Sequence, residues 1–262
     1  MPFYQKHGKL PDKRHIQFRD DEGNLYWEEL ISRKGFSHIY SNVYHLNPPT
    51  AINKVGDIDP IQLDAQGQEH RHHHIKTRNL NSKGDAISAR VPLFFNSDVI
   101  LSKAIADDSM KYLYRNGHHD ECLFVHGGKG TLRTNFGSLG ISQGDYAIIP
   151  RGVIWQLDVK ESLELLIAET VGPIQTPDRY RNELGQLLEH APYSERDLRT
   201  PILDSPILGG PIQVKVRLIQ GIQSYEYQHH PFDVVGWDGY YYPWVFNVND
   251  FMPITGKVHQ PP

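Results

Sequence analysis

An all-β barrel is the fold this sequence predicts, and three observations carry the prediction. Between Val91 and Gly172 the chain runs through VPLFFNSDVILSKAI, MKYLYRNG, ECLFVHGG, KGTLRTNFGSL, GDYAIIPRG, VIWQLDV and SLELLIAETVG. Each run is short, rich in Val, Ile, Leu, Phe or Tyr, and closed by Gly, Asn, Asp or Pro, residues that interrupt strand pairing. No helical period separates them, which excludes alternating β-α units and leaves a barrel or a sandwich.

The flanking elements follow from local pattern. Met1 to Thr50 mixes aromatics with charge and reads as an extended packing arm, with YWEELIS (Tyr26 to Ser32) the one stretch there that predicts a short helix. In YSNVYHLNPPT, the even spacing of Tyr40, Tyr44 and Leu46 predicts a strand, and Pro48-Pro49 ends it by removing two backbone donors. Hydrophobic residues thin out from Ala51 to Gly84, a polar surface region containing EHRHHHIKT. After the barrel, DRYRNELGQLLE (Asp178 to Glu189) places Tyr180, Leu184, Leu187 and Leu188 on one helical face and predicts one short helix. PIQVKVRLIQG alternates Val214, Val216 and Leu218 with polar residues, as a half-buried strand does. The tail from His229 is aromatic, rich in Gly and Pro, and expected to pack irregularly.

Composition narrows the function classes. The 262 residues are 39% hydrophobic and 11% aromatic, enough for a substantial core. A net charge of -4 with no basic run argues against nucleic acid and anionic membrane partners. Cys122 is the single cysteine, so neither an internal disulfide nor a cysteine zinc cluster forms, and a reducing cytoplasm fits. No apolar run approaches the roughly 20 residues that span a bilayer.

The segment GHHDECLFVHGGKGTLRTNFGSLGISQGDYAIIPRGVIWQL (Gly117 to Leu157) resembles the paired motifs of the cupin superfamily, jelly-roll barrels that often hold a metal on inward-facing side chains. Glu121, Gly128, Gly144, Pro150 and Gly152 fit those motifs. The first two histidine positions fall near Tyr114 and Asn116, however, and the third is Trp155. A metal needs several lone pairs converging at about 2 Å, which Glu121 alone does not supply. A metal-free barrel acting as scaffold, with Trp155 packed among apolar side chains, is the expectation. A rival arrangement recruits His118, His119, Asp120 and Glu121, but neighbouring side chains on a strand face opposite ways unless the segment is a turn.

A third reading is a small metal-dependent enzyme built on His70, His72, His73 and His74, although consecutive residues do not readily face one ion. Gly127, Gly128 and Gly130 lie between strand patterns and make a turn rather than a phosphate cradle. No G-x-S-x-G motif supports serine hydrolase chemistry.

The ordered set RHIQFR, YHLNPPT, RHHHIKT, RVPLFFNSDV, the barrel motif and HHPFDVVGWDGYYYPWVFNVNDFMPITGKVHQPP resembles the homogentisate 1,2-dioxygenase family, in its short bacterial form, along essentially the whole chain. That resemblance implies a non-haem Fe(II) enzyme of extradiol type. With O₂ it opens the ring of homogentisate to maleylacetoacetate, in tyrosine and phenylalanine breakdown. It also implies two joined barrels with iron only in the second, and trimers paired into hexamers. The division it implies here is an arm with strands over residues 1–85, a metal-free barrel over 86–175, and a helix, connector and incomplete second half over 176–262. The family's iron-ligand segment lies beyond the point equivalent to Pro262, so no residue of this chain inherits a ligand role. His259, in VHQPP, matches a family histidine that hydrogen-bonds a substrate ring hydroxyl and moves its proton. A non-catalytic scaffold or assembly domain is the alternative from another functional class.

Overall fold

The computed structural model describes residues 3–63, 72–80 and 82–253. Its strands in chain order are β1 (Gln5–Gly8), β2 (Trp27–Ser32), β3 (Tyr40–His45), β4 (Ile52–Pro60), β5 (Lys83–Gly84), β6 (Val91–Phe95), β7 (Val99–Ala106), β8 (Leu113–Asn116), β9 (Asp120–Thr134), β10 (Gly137–Ser142), β11 (Asp145–Ile149), β12 (Ile154–Thr170), β13 (Ile212–Arg217), β14 (Gly221–Tyr227), β15 (Val234–Gly239) and β16 (Trp244–Asn247). The fold is all-β and cupin-like, and its helical segments among the described residues are single 3₁₀ turns.

Two sheets organise the chain. One is four-stranded in the order β1-β15-β3-β2; the other is 12-stranded, with β16-β11-β9-β12-β8-β13-β14-β4 as its path and β10, β5, β6 and β7 attached beside it. The barrel rests on the long antiparallel pair β9 and β12. Register shifts between Val159 and Leu165 break their ladder, so β12 pairs with β8 near Ile154 and with β7 from Leu163 to Thr170. Such shifts bend a strand, and here they let one strand serve two regions of the sheet. The core alternates as a half-buried ladder requires: Leu123 and Val125 of β9 face inward with Leu165 and Ile167 of β12, all at most 1% exposed.

Local pattern misled at five places. Gly127, Gly128 and Gly130 lie within the continuous strand β9, at its register shifts with β12, rather than in a turn between two strands. YWEELIS forms β2 rather than a helix, because its residues ladder onto β3 from Trp27 opposite His45 to Ser32 opposite Tyr40, and tertiary pairing overrides a weak local preference. DRYRNELGQLLE holds only a 3₁₀ turn at Asp178–Tyr180. The Asn182 carboxamide oxygen then accepts from the backbone N–H of Leu184 and Gln186, Arg181 bridges to Leu187, and Gly185 turns at φ +83. That side chain takes the donors a helix would have used, and leaves Leu184 88% exposed. The stretch after Ala51 contains β4, which exposed polar residues had disguised. The aromatic tail is regular in part, supplying β15 to the smaller sheet and β16 to the larger.

Candidate functional site

Inside the barrel the chain builds an ion-pair network around Arg90. Glu121 of β9 lies directly opposite Glu169 of β12 in the ladder, and both carboxylates point inward and are buried. Two like charges in facing positions destabilise a sheet unless a cation lies between them. Arg90 enters from the segment before β6, its Nη1 2.7 Å from Glu121 Oε1 and 3.5 Å from Glu169 Oε2. Its Nε donates to the Ala86 carbonyl, fixing the guanidinium plane.

The remaining carboxylate oxygens are also taken. The Trp155 indole N–H donates to Glu121 Oε2 at 3.1 Å, and Asn116 Nδ2 donates to Glu169 Oε1 at 2.9 Å. Trp155 is fully buried, its ring edge-on to Tyr114 at 5.3 Å, and the Arg90 guanidinium lies over the Tyr114 ring. The two positions nearest the motif's first histidines, Tyr114 and Asn116, and the third, Trp155, are therefore ring packing and hydrogen-bond donors to carboxylates. Burial pushes the Glu121 carboxyl up, Arg90 pulls it back, and Glu169 pushes it up again. Burial opposes the charge on Arg90, but Glu121 and Glu169 outweigh it and hold the guanidinium charged.

This arrangement corrects the expectation for Trp155, whose environment is not purely apolar: its indole is a donor holding a buried charge. The site does not fit a metal, since the donor atoms of both carboxylates face a fixed cation and neutral N–H groups. Arg90 and Glu169 were not singled out from the sequence. Arg90 does open the quoted RVPLFFNSDV segment, and the one signal available for it was an arginine flanking a strand-rich barrel motif with a lone inward carboxylate.

The four adjacent candidates separate. The Asp120 carboxylate turns away from the barrel, pairing with Arg33 and accepting from the backbone N–H of Arg151 and Ile174, while Glu121 faces the interior. His118 and His119 pack edge to face on each other at 4.5 Å. Burial lowers the pKa of His119 to about 4, so its ring is neutral. His72, His73 and His74 are exposed, and His70 and His259 lie outside the described residues. Among the described residues, no group of His, Cys, Asp or Glu is placed to hold a metal ion. The Cys122 thiol is pushed up to about 12 by burial, which makes it a poor nucleophile.

A second buried network joins two of the distinctive sequence segments. His45, from YHLNPPT, places Nδ1 2.7 Å from Asp233 Oδ1, from HHPFDVVGWDG, and Nε2 3.3 Å from Glu29. Asp233 also accepts from the backbone and side-chain N–H groups of Asn47. Burial alone would lower the His45 pKa, but the Asp233 hydrogen bond and Glu29 outweigh it and raise the ring to about 9. These segments thus recognise each other, holding the turn before β15 against the end of β3.

Beside the smaller sheet, a cleft of about 1140 Å³ opens between the arm and strands β3 and β15, with Tyr4, Lys6, Arg14, Tyr40, Asn42 and Tyr240 among its walls. Several of its polar groups are engaged pairwise, Tyr4 hydroxyl to Asp238 at 2.9 Å and Arg14 to the Tyr40 hydroxyl at 2.7 Å. The arm forms one wall of the cleft and the smaller sheet the other.

Residues 94–248 match the family described as Homogentisate 1,2-dioxygenase N-terminal. A protein from Saccharolobus solfataricus provisionally named a dioxygenase is 42% identical over 264 residues, covering 100% of this chain and 68% of its own length. The homogentisate 1,2-dioxygenase of Pseudomonas entomophila is 28% identical over 151 residues, 57% of this chain and 34% of that enzyme. The matched region thus spans about a third of the established dioxygenase. A cupin protein from Bacteroides fragilis overlaps 42% of this chain and 92% of its own, at 15% identity and a TM-score of 0.32. No helix among the described residues is long and apolar enough to cross a membrane. With more than half of its length in that family match, this chain belongs to the homogentisate 1,2-dioxygenase N-terminal family.

Proposed function

We propose that this chain is the N-terminal region of a dioxygenase that uses O₂ to cleave the ring of homogentisate, giving maleylacetoacetate, in tyrosine and phenylalanine breakdown. The observation that carries the reading is a family match over 94–248 to a barrel in which Tyr114, Asn116 and Trp155 stand at the motif's histidine positions and Glu121 is paired with Arg90. A barrel closed in this way serves as scaffold and leaves the chemistry to residues outside it. Fe(II) is the metal the family resemblance implies. The barrel residues do not fit it, so no step is assigned to it here.

His259 is the residue of this chain proposed to touch substrate. An imidazole titrating near neutrality accepts a ring hydroxyl proton and returns it, work worth about 10²–10⁴ in rate. Homogentisate and O₂ are the proposed small-molecule partners, and a trimer or hexamer the proposed assembly.

Oxygen uptake by the whole dioxygenase of which this chain is proposed to be the N-terminal region, supplied with ferrous iron and homogentisate, tests the reading. One O₂ consumed per ring opened is expected, and His259→Ala is expected to lower kcat by about 10²–10⁴. Turnover of a different ring with none of homogentisate would overturn the substrate; no uptake with any aromatic would leave the non-catalytic scaffold as the function.

A further inference from the structure

Among the described residues, β4, the terminal strand of the larger sheet, is paired on one side only, by β14. Its apolar residues are three apart, a spacing that would alternate between faces on a regular strand. Two register shifts change that: Ile58 lies opposite Gln223, Val55 opposite Tyr225 and Ile52 opposite Tyr227. Because residues 223, 225 and 227 share one face of β14, Ile52, Val55 and Ile58 share it too, at 43%, 53% and 41% exposure. Behind them in β13 stand Ile212, Val214 and Val216, part of or packed on a hydrophobic cluster with Leu113, Ile154, Tyr227 and Phe232. This face therefore runs from a buried core through Tyr227, Tyr225 and the single polar residue Gln223 of β14 to the apolar residues of β4. On the opposite face of β4, Lys54 and Asp59 stand across from Glu226 and Ile222, both exposed.

An open, apolar edge is a template for another strand, and proteins usually hide or charge such edges. Here the bulges do the reverse and collect the apolar residues. We propose that β4 pairs antiparallel with β4 of a second copy of this chain about a two-fold axis, Val55 facing the second copy's Ile58 and Lys54 facing its Asp59. Both pairings respect the pleat, since Val55 and Ile58 share one face and Lys54 and Asp59 the other. The symmetry makes each pair occur twice. Slipping the register by one residue sets Lys54 against Ile58 or Pro60 and Val55 against Asp57 or Asp59. Charge and apolar complementarity thus select one register, as a strand with distinct faces requires. A second copy satisfies the edge without any other partner, and the proposal is independent of the reaction assigned above.

Sedimentation velocity of the full 262-residue chain across a concentration range tests it. A two-fold contact doubles whatever assembly the rest of the surface supports, so Val55→Asp is expected to halve the sedimenting mass. Lys54→Asp and Asp59→Lys, each creating two like-charge pairs, are expected to weaken association about tenfold. The double variant Lys54→Asp/Asp59→Lys restores the opposite-charge pairs and is expected to return it to within about threefold of the parent. These side chains are exposed, so unchanged thermal melts confirm that the variants fold. As a second measurement, Val55→Cys/Ile58→Cys is expected to give a disulfide-linked dimer on oxidation. A parent chain that stays monomeric, as it would if a different molecule occupies this edge in the cell, overturns the proposal. So does an assembly that Val55→Asp leaves intact, or charge reversals that fail to compensate.

Discussion

Arg90 lies between the facing carboxylates of Glu121 and Glu169, and its charge decides how the two share the interior. Arg90→Met keeps the volume and removes the charge, leaving two facing buried carboxylates without a cation. A loss of about 3–5 kcal/mol is expected from the urea midpoint. Trp155→Phe keeps the ring but strips the donor from Glu121 Oε2, and about 1–3 kcal/mol is expected to go. Near-zero coupling between Trp155→Phe and Glu121→Gln in a double-mutant cycle would instead make Trp155 only filler. His45 gives a pH signature. Its folded pKa of about 9 stands above the ordinary value of 6.5, so its stabilisation is complete below pH 6.5 and lost as pH rises through 9. That shift corresponds to at most about 3 kcal/mol. Denaturation midpoints measured from pH 6 to 10 are expected to fall in the parent and to flatten in His45→Gln.

The β9–β12 pair concentrates the backbone demands of the fold. Gly128 lies in β9 at φ +85, and a Cβ there would sit 2.0 Å from the Ser162 carbonyl oxygen, a backbone atom that cannot swing aside. Gly128→Ala therefore carries both left-handed strain and a clash, and is expected to cost more than about 2 kcal/mol in a thermal melt. Gly140 in β10 meets nothing within 4 Å at the same construction. Gly140→Ala is expected to stay within about 0.5 kcal/mol, and an equal loss at both positions would contradict the bulge as the cause.

The two sheets are joined through Trp237 of β15, whose indole N–H donates to the Phe136 carbonyl at 2.8 Å while its ring stacks on His7 and meets Phe136 edge-on. Trp237→Ala is expected to cost about 3–5 kcal/mol. Hydrogen exchange is expected to rise first in β1 and β3, with β9 and β12 still protected; uniform loss would mean that the sheets unfold as one. Alternation, punctuation and cluster composition made the barrel strands from Val91 to Thr170 legible, along with β3, β13 and the inward place of Trp155, because each is a period-two pattern within a few residues. Two helices were misread because Glu and Leu favour helix locally while β2 is held by β3 and Asn182 captures the donors of its own turn. Arg90 went unmarked because its role depends on Glu121, 31 residues away, and on a facing glutamate across the ladder.

Local periodicity and a family-specific order of motifs settled an all-β class, a barrel lacking its histidines, and membership in a dioxygenase family. Which charge balances Glu121 and Glu169, which network His45 and Asp233 form together, and which residues β4 turns to the outside were decided only when the strands paired. Pairing register and burial depend on contacts between residues far apart in the chain, and no window of local sequence contains both partners of such a contact.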